Sequence, residues 1–101
     1  MIARVWHGWT EQEQAEKYES HLRPELLPGL SKIPGFAGSY LLRRTVGAEV
    51  EFITIILWDS LDALRDFAGS EYETAIIPED RKRYLKRFDT KAAHYEVVER
   101  R

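Results

Sequence analysis

The sequence predicts an α+β fold in which the elements follow one another in the order β-α-β-β-α-β. Three observations point to this order. A β-branched and aromatic segment opens the chain at residues 2–9, two more strand-like segments follow closely at 36–44 and 50–58, and a fourth ends the chain at 91–99. Apolar residues at helical spacing occupy the intervals before and after the central pair. We therefore expect a ferredoxin-like fold, with an antiparallel four-stranded sheet and helices on one face.

The first helical interval is marked by a capping pattern. Thr10 precedes Glu13 by three residues, which is the spacing of a capping box, so we expect the helix to begin at Glu11. An apolar stripe follows at steps of three and four residues, formed by Ala15, Tyr18 and Leu22.

Two prolines interrupt this interval. Because Pro24 and Pro28 each remove a helical hydrogen bond, we expect a break near Arg23. A short second helical piece should then follow, with apolar side chains at Leu26, Leu27 and Leu30.

The second helical interval has clear start and stop signals. Ser60 is the expected N-cap and Gly69 the expected end of one helix. Ser70 and Glu73 form a second capping box that predicts a new helical turn, and Pro78 should begin a further helical piece that extends to residue 88.

Length, charge and composition exclude several classes of protein. With 101 residues we expect a single domain over residues 1–101, and a net charge of -2 argues against a dedicated nucleic-acid binder. The absence of cysteine excludes disulfides, cysteine zinc sites and a thiol nucleophile. No apolar run approaches the ~20 residues needed to cross a bilayer, so we expect a cytoplasmic protein with no membrane partner.

The third strand is apolar on both faces, which is unusual for a sheet with one wet face. Alternation places Phe52, Ile56 and Trp58 on one face and Ile53, Ile55 and Leu57 on the other. Since the helices cover only one face, we expect a homodimer that packs sheet against sheet. The alternative is that the strand is central and that loops shield its second face.

Motifs for metals and nucleotide cofactors are absent from the sequence. The three histidines, His7, His21 and His94, do not have the short spacing of a metal site, so no metal is expected. There is no G-x-G-x-x-G, P-loop or G-x-S-x-G motif. We expect no cofactor, which leaves chemistry that the substrate can perform by itself.

Several short motifs in this order resemble the antibiotic biosynthesis monooxygenase family. They are IPGF before the second strand, LWDS at the end of the third, A-x-x-x-F in the next helix, GSEYETA, and HYEVV in the last strand. The resemblance implies a dimeric α+β barrel with a ligand cleft between sheet and helices. The family includes cofactor-independent oxygenases that act on polycyclic phenols, haem-degrading enzymes, quinol monooxygenases and proteins of unknown role.

The resemblance also allows the haem-degrading branch to be compared residue by residue. That branch has an Asn on the first strand, a Trp in the helix after the third strand and a haem-ligating His further on. The matching positions here hold His7, Phe67 and Ile77. Ile77 cannot bind iron, so haem degradation is not expected.

Two histidines are candidate catalytic bases. His7 and His94 lie on strands that are neighbours in the ferredoxin-like order, and we expect them to lie close together. If Ile2 and Trp6 point to the partner sheet, His7 must face the helices and the cleft. A His that titrates near neutral pH suits proton abstraction from a phenol. The alternative is that both are half-buried sheet residues bonded to backbone or water.

Four aromatic residues are candidates for binding a small, flat aromatic ligand, because we expect them to line the cleft. They are Trp9, Tyr40, Phe67 and Tyr72. The alternative is that these side chains belong to the core.

The predicted function is a cofactor-independent monooxygenase-like oxidation of a phenol, quinol or anthrone with O2. The alternatives are a non-catalytic dimeric small-ligand-binding or stress-response protein, and an atypical haem-binding protein.

Overall fold

The computed structural model describes residues 1–75 and 77–101, and for residues 25–28 it describes the backbone without the side chains. Its elements, in chain order, are β1 (Ile2–Glu11), α1 (Gln12–Leu30), β2 (Phe36–Val46), β3 (Glu49–Trp58), α2 (Leu61–Ala68), α3 (Glu79–Lys82), β4 (Arg87–Phe88) and β5 (Ala93–Glu96). Every strand pair that the structure describes is antiparallel. The predicted α+β class and the ferredoxin-like order are confirmed.

The sheet is built around β1, which pairs with β3 over its whole length, from Ile2 opposite Trp58 to Glu11 opposite Glu49. β2 pairs with the far side of β3. The fourth place in the sheet is divided between two short strands, because β5 lies along the first half of β1 and β4 along its second half. The single last strand predicted at residues 91–99 is therefore only part of this edge.

Both longer helices pack on the same face of the sheet, which we call the inner face. In β1 this face is formed by Ile2, Arg4, Trp6, Gly8 and Thr10. Tyr18 and Leu22 of α1 pack against Phe52 of β3, and Leu64 of α2 packs against Trp58. The opposite, outer face includes Val5, His7 and Trp9 of β1. The predicted division of β3 into two apolar faces is confirmed, with Phe52 and Trp58 inward.

The start of α1 differs from the capping-box prediction. β1 extends to Glu11, which is the N-cap residue, and no side chain caps the helix. Thr10 is a fully buried strand residue, and its Oγ1 has no hydrogen-bond partner among the residues that the structure describes. The prediction was wrong because the long ladder with β3 holds Thr10 in extended backbone, so tertiary pairing overrides the local capping signal.

The predicted break near Arg23 was also wrong, since α1 is one helix of 19 residues that passes through both prolines. Each proline removes one i→i−4 hydrogen bond. Positions 24 and 28 are about one turn apart, so both gaps lie on one side of the helix and the bonds on the other side still hold it together. The apolar side chains predicted at Leu26 and Leu27 lie outside the described residues.

The second helical interval agrees with prediction at its start. The Ser60 hydroxyl accepts a hydrogen bond from the Ala63 N–H at 3.1 Å, and Gly69, at φ 86°, ends α2. Residues 70–73 then form turns and no helix, and α3 has only four residues. The helix predicted up to residue 88 is wrong because the Lys86 N–H donates to the Trp9 carbonyl at 2.7 Å, which draws β4 into the sheet. Within the described part of the chain, no helix has the length and apolarity needed to cross a membrane.

Candidate active site

A cleft opens between the inner face, α1 and the segment that follows β3. It holds about 680 Å³ of empty space, part of which is continuous with solvent. The sheet lines it with Arg4, Trp6, Thr54 and Ile56, α1 with Tyr18 and Leu22, and the segment after β3 with Phe67 and Ile77. Most of these side chains are apolar or aromatic, which suits a flat, largely apolar ligand.

Two aromatic side chains give the cleft rigid walls. The Trp6 indole N–H donates to the Asp89 carbonyl at 2.8 Å, which fixes the ring on the inner face. The Phe67 ring lies 4.8 Å from the Trp58 ring, centroid to centroid, yet Phe67 remains 42% exposed. Since Trp58 is fully buried, Phe67 is an aromatic surface supported by the core and open to the cleft.

A polar cluster lies at the margin of these walls, formed by Arg4, Tyr72 and His94. Arg4 and His94 are directly opposite each other in the β1–β5 ladder. Arg4 Nη1 donates to the Tyr72 carbonyl and lies 2.9 Å from His94 Nε2. The Tyr72 and His94 rings form a T-shaped pair with 5.1 Å between their centroids. These contacts join β1, the turn after α2 and β5 at the margin of the cleft.

The Arg4–His94 contact determines the form of the imidazole. A guanidinium can only donate hydrogen bonds, so Nε2 accepts and the neutral ring has its proton on Nδ1. Burial lowers the pKa of His94 below its usual 6.5, the positive charge of Arg4 lowers it further, and Glu73 opposes both effects. His94 is therefore a neutral imidazole at neutral pH. Burial also lowers the pKa of Arg4, which indicates that its charge is partly desolvated.

Tyr18 lies on the α1 side of the cleft. Burial raises the pKa of its phenol to about 12, although the positive charge of Arg81 acts in the opposite direction. Tyr18 is only 2% exposed and Arg81 also lines the cleft. The phenol thus stays protonated at neutral pH, which leaves its O–H available as a donor to a bound oxygen.

The structure does not place His7 where alternation predicted it. His7 lies on the outer face, where its Nδ1 is 3.0 Å from Asp89 Oδ2 and its ring stacks on Trp9 at 5.9 Å between centroids. The alternation itself is correct, but Ile2 and Trp6 point toward the helices and not toward a partner. Because both sides of β1 carry aromatic and apolar residues, hydrophobicity alone could not decide which side faces the helices.

The predicted proximity of His7 and His94 is wrong as well. His94 stands opposite Arg4, whereas the Asp89 N–H donates to the His7 carbonyl at 2.9 Å. The two histidines are separated along the sheet and lie on opposite faces. The error arose from treating the last strand as one uninterrupted element.

The predicted aromatic ligands divide into two groups. Phe67 lines the cleft, and Tyr72 lies at its margin beside His94. Trp9 and Tyr40 lie on the outer face, where Arg87 covers the Trp9 ring at 4.1 Å and Tyr40 is opposite Ile55. The placement of Trp9 and Tyr40 in the cleft was therefore wrong, for the same reason as that of His7.

Sequence analysis did not assign several residues of the cleft, among them Arg4, Tyr18 and Arg81. Arg4 could have been found, because it is the one charge inside an otherwise β-branched and aromatic opening strand, two residues from Trp6. Tyr18 follows the stripe of core residues on α1, and nothing local distinguishes it from them. Arg81 belongs to a run of basic residues that resembles a solvated helix face.

The residues of the cleft do not fit a metal or a conventionally ligated haem. In the described residues, no group of three or more His, Asp or Glu side chains could hold a metal ion. Ile77 lines the cleft at the position that the resemblance assigns to a haem ligand. His94 lies on this side of the sheet in contact with a lining residue, but its Nε2 is directed at Arg4.

Comparisons with known proteins agree with this architecture. The family model for antibiotic biosynthesis monooxygenase matches residues 1–79. A Bacillus cereus protein assigned to the antibiotic biosynthesis monooxygenases has a TM-score of 0.73 at 18% identity, covering 100% of this chain and 94% of its own. The haem degrader MhuD from Mycobacterium tuberculosis, solved with two haems in its active site, has a TM-score of 0.67 at 17% identity, with coverages of 99% and 98%.

A third solved structure is SnoaB, a cofactor-independent oxygenase from Streptomyces nogalater. It has a TM-score of 0.54 at 14% identity, covering 98% of this chain and 95% of its own. At these identities the three structures establish a shared fold. A search of curated proteins by sequence finds no match.

Proposed function

Because this chain belongs to the antibiotic biosynthesis monooxygenase family, we propose that it oxidises an aromatic phenol, quinol or anthrone with O2 in its cleft and needs no cofactor. The observation that supports this most directly is a neutral imidazole, His94, paired with a cation, Arg4, at the margin of an apolar aromatic cleft. The cofactor-independent oxygenase SnoaB shares the fold.

The first step of the proposed reaction is loss of a proton from the bound substrate. The lone pair of His94 Nε2 now accepts a hydrogen bond from Arg4. The hydroxyl of a phenol, of a quinol or of an anthrone in its enol form can enter beside Arg4 and take over that donor, which frees Nε2 to accept the hydroxyl proton. The substrate anion then lies between the Arg4 guanidinium and the newly formed imidazolium. Both positive charges attract the substrate anion more strongly in a partly dry cleft than they would in water.

The second step transfers electrons from the anion to O2. For an anthrone, one electron passes to O2, and the substrate radical and superoxide combine to form a C–O bond. The resulting peroxide anion takes the proton back from the His94 imidazolium, and the hydroperoxide then loses water and leaves a carbonyl. One O2 is therefore consumed for each CH2 that becomes C=O, and one oxygen atom leaves as water. Trp6 and Phe67 would hold the ring system flat and limit the access of water.

The proposal includes a homodimer formed through the outer face. Tyr40 and Leu42 of β2 are 53% and 44% exposed, and they lie on this face opposite Ile55 and Ile53 of β3. Tyr95 of β5 is 58% exposed on the same face, opposite Ala3. A continuous surface of this composition is typical of an interface between copies of a chain.

Oxygen uptake with a model substrate tests the reaction. Anthrone or a hydroquinone is added to the purified protein in the presence of a chelator, with no flavin, haem or metal. We expect O2 consumption well above the rate without protein, with one O2 used for each anthrone carbonyl formed. No uptake with any such substrate, together with tight ligand binding, would replace the proposal with the non-catalytic binding protein.

A variant that fills the cleft separates catalysis there from oxidation on the surface. Ala75 lines the cleft, so Ala75→Trp should block the site and abolish the protein-dependent uptake. The matched control is Ala48→Trp, because Ala48 is exposed in the turn between β2 and β3. Loss of activity in both variants, or in neither, would contradict a reaction in the cleft.

A further inference from the structure

Arg4 is a partly desolvated cation that has no acidic partner among the residues that the structure describes. It is half-buried on the inner face, and burial lowers the pKa of its guanidinium. In the residues that the structure describes, no carboxylate lies within 4.0 Å of its nitrogens, whereas Arg43, Arg44 and Arg87 each have one. A partly buried charge is costly unless it is paired, so an unpaired guanidinium in a cleft indicates a missing anion.

Most of the donors of Arg4 have no partner among the residues that the structure describes. A guanidinium has five N–H groups in a planar fork. Both contacts of Arg4, to the Tyr72 carbonyl and to His94 Nε2, are made by Nη1. The Nε and Nη2 hydrogens, three in all, have no acceptor in the described part of the chain. The contacts of Nη1 therefore hold the group in place while the rest of the fork remains available.

We propose that the cleft binds its aromatic ligand as an oxyanion, either a carboxylate or an ionised phenol, and that Arg4 selects for this charge. This inference deepens the proposed function, on which it rests for the aromatic character of the substrate. The fork of Arg4 suits the two oxygens of a carboxylate or the one oxygen of a phenolate. Trp6, on the same strand, would support the ring.

The other charged side chain among the described residues that line the cleft is also a cation, Arg81. The opposing charge is Glu73, which acts on His94. No Asp or Glu is among the described lining residues, so the charged side chains described in the lining are both cationic.

A matched pair of probes tests charge selection in the unaltered protein. Naphthalene carboxylate and naphthalene carboxamide have the same ring and nearly the same shape, but only the first is charged. Calorimetric titration should show that the carboxylate binds roughly ten- to a hundredfold more tightly, which is the range expected for hydrogen bonds to a charged group. Equal affinities, or no carboxylate binding at millimolar concentration, would exclude carboxylate recognition and leave only the phenolate form of the proposal.

Substitution of Arg4 then identifies the residue responsible. Arg4→Gln removes the charge but keeps an N–H donor, and it should abolish the preference for the carboxylate while leaving carboxamide binding nearly unchanged. The matched control is Arg65→Gln, which removes an exposed positive charge near the same tyrosine and should keep the preference. A preference that survives in Arg4→Gln would assign the charge selection elsewhere and refute the role of Arg4.

A second probe distinguishes the two kinds of oxyanion. Para-nitrophenol is coloured only as the phenolate, so its absorbance at fixed pH reports the pKa of the bound phenol. Binding beside Arg4 should lower that pKa, and Arg4→Gln should cancel the shift. An Arg4-dependent shift of this kind supports phenolate recognition, and an Arg4-dependent preference for naphthalene carboxylate supports carboxylate recognition. Failure of both effects would refute the proposal.

These measurements do not depend on turnover. Charge-selective binding without oxygen uptake would leave the Arg4 site intact and refute the oxygenase. Turnover of anthrone by a protein that shows neither the preference for the carboxylate nor the shift in the pKa of bound para-nitrophenol would support the oxygenase and refute the Arg4 site.

Discussion

Arg4 and His94 stand opposite each other on β1 and β5, and Arg4 Nη1 lies 2.9 Å from His94 Nε2. The ladder register fixes this contact, because Ile2 opposite Glu96 and Val5 opposite Ala93 leave no other partner for Arg4 on β5. The pair therefore depends on the fold as a whole and not on a flexible loop. A change at Arg4 should therefore be detectable in the titration of His94.

The first prediction concerns the titration of His94. Burial and the charge of Arg4 lower its pKa, and Glu73 raises it. Arg4→Gln should therefore raise the pKa of His94, and Glu73→Gln should lower it further, both measured by NMR titration of the imidazole. If the two substitutions shift the pKa in the same direction, the electrostatic account of this cluster is wrong.

The second prediction concerns the outer face. Leu42→Glu puts a charge on a residue that is 44% exposed in the single chain, so the monomer should still fold while the proposed dimer dissociates. Val98→Glu is the matched control, since Val98 is 96% exposed beyond the last strand. Sedimentation at micromolar concentration should show a dimer for the unaltered protein and the control, and a monomer for Leu42→Glu. A monomeric unaltered protein would refute the dimer.

The third prediction concerns Gly8, which lies on the inner face beside Trp6. A Cβ at this position would approach Trp6 Cη2 to 2.7 Å and Leu85 Cδ2 to 2.9 Å. Gly8→Ala should therefore lower the free energy of unfolding by about 1–3 kcal/mol, the usual cost of overpacking. It should also weaken ligand binding, because the Trp6 ring has to move.

Gly29→Ala is the control for this substitution. Gly29 is in α1, and a Cβ there meets nothing within 4 Å. Alanine should raise the free energy of unfolding by about 0.5–1 kcal/mol, because glycine is a poor helix former. Denaturant unfolding of both variants measures the difference. A Gly8→Ala protein as stable as the unaltered one would show that Trp6 can relax at little cost.

The fold was accessible from the sequence because its signals are redundant. Ser60 and Gly69 bound α2 as predicted, and the two faces of β3 follow directly from alternation. The site was only partly accessible. Alternation shows which residues of β1 share a face. It does not show which face meets the helices, because Ile2 and Trp6 on one face are about as hydrophobic as Val5 and Trp9 on the other.

The last strand shows the same limit at the level of the backbone. Residues 87–88 look helical in sequence, yet they complete the sheet beside Gly8 and Trp9. This pairing is decided by contacts with β1, far away in sequence, so no local pattern could place Asp89 beside His7 or His94 beside Arg4. His94 therefore lies on the inner face, as predicted for a base in the cleft, but its neighbour is Arg4 and not His7. His7 lies on the outer face, away from the cleft.

The fourth prediction tests His94 as the base, with His7 as the internal control. In His94→Gln the amide oxygen can still accept from Arg4, but the side chain cannot take a proton at neutral pH. Turnover of anthrone should fall by about 10²–10⁴-fold, the usual contribution of a general base. Because the Arg4 contact is kept, KM should change much less than kcat.

His7→Gln should keep near-native turnover, because His7 lies on the outer face with Asp89 and does not reach the cleft. The two variants remove the same chemical group from neighbouring parts of one sheet, so a general effect on stability would lower both rates alike. If His7→Gln loses activity and His94→Gln does not, the base acts from the outer face and the cleft is not the reaction site. If both variants retain activity, His94 is not the base and the substrate proton is lost to solvent. In that case the positive charge of Arg4 stabilises the substrate anion, and removal of this charge should lower kcat.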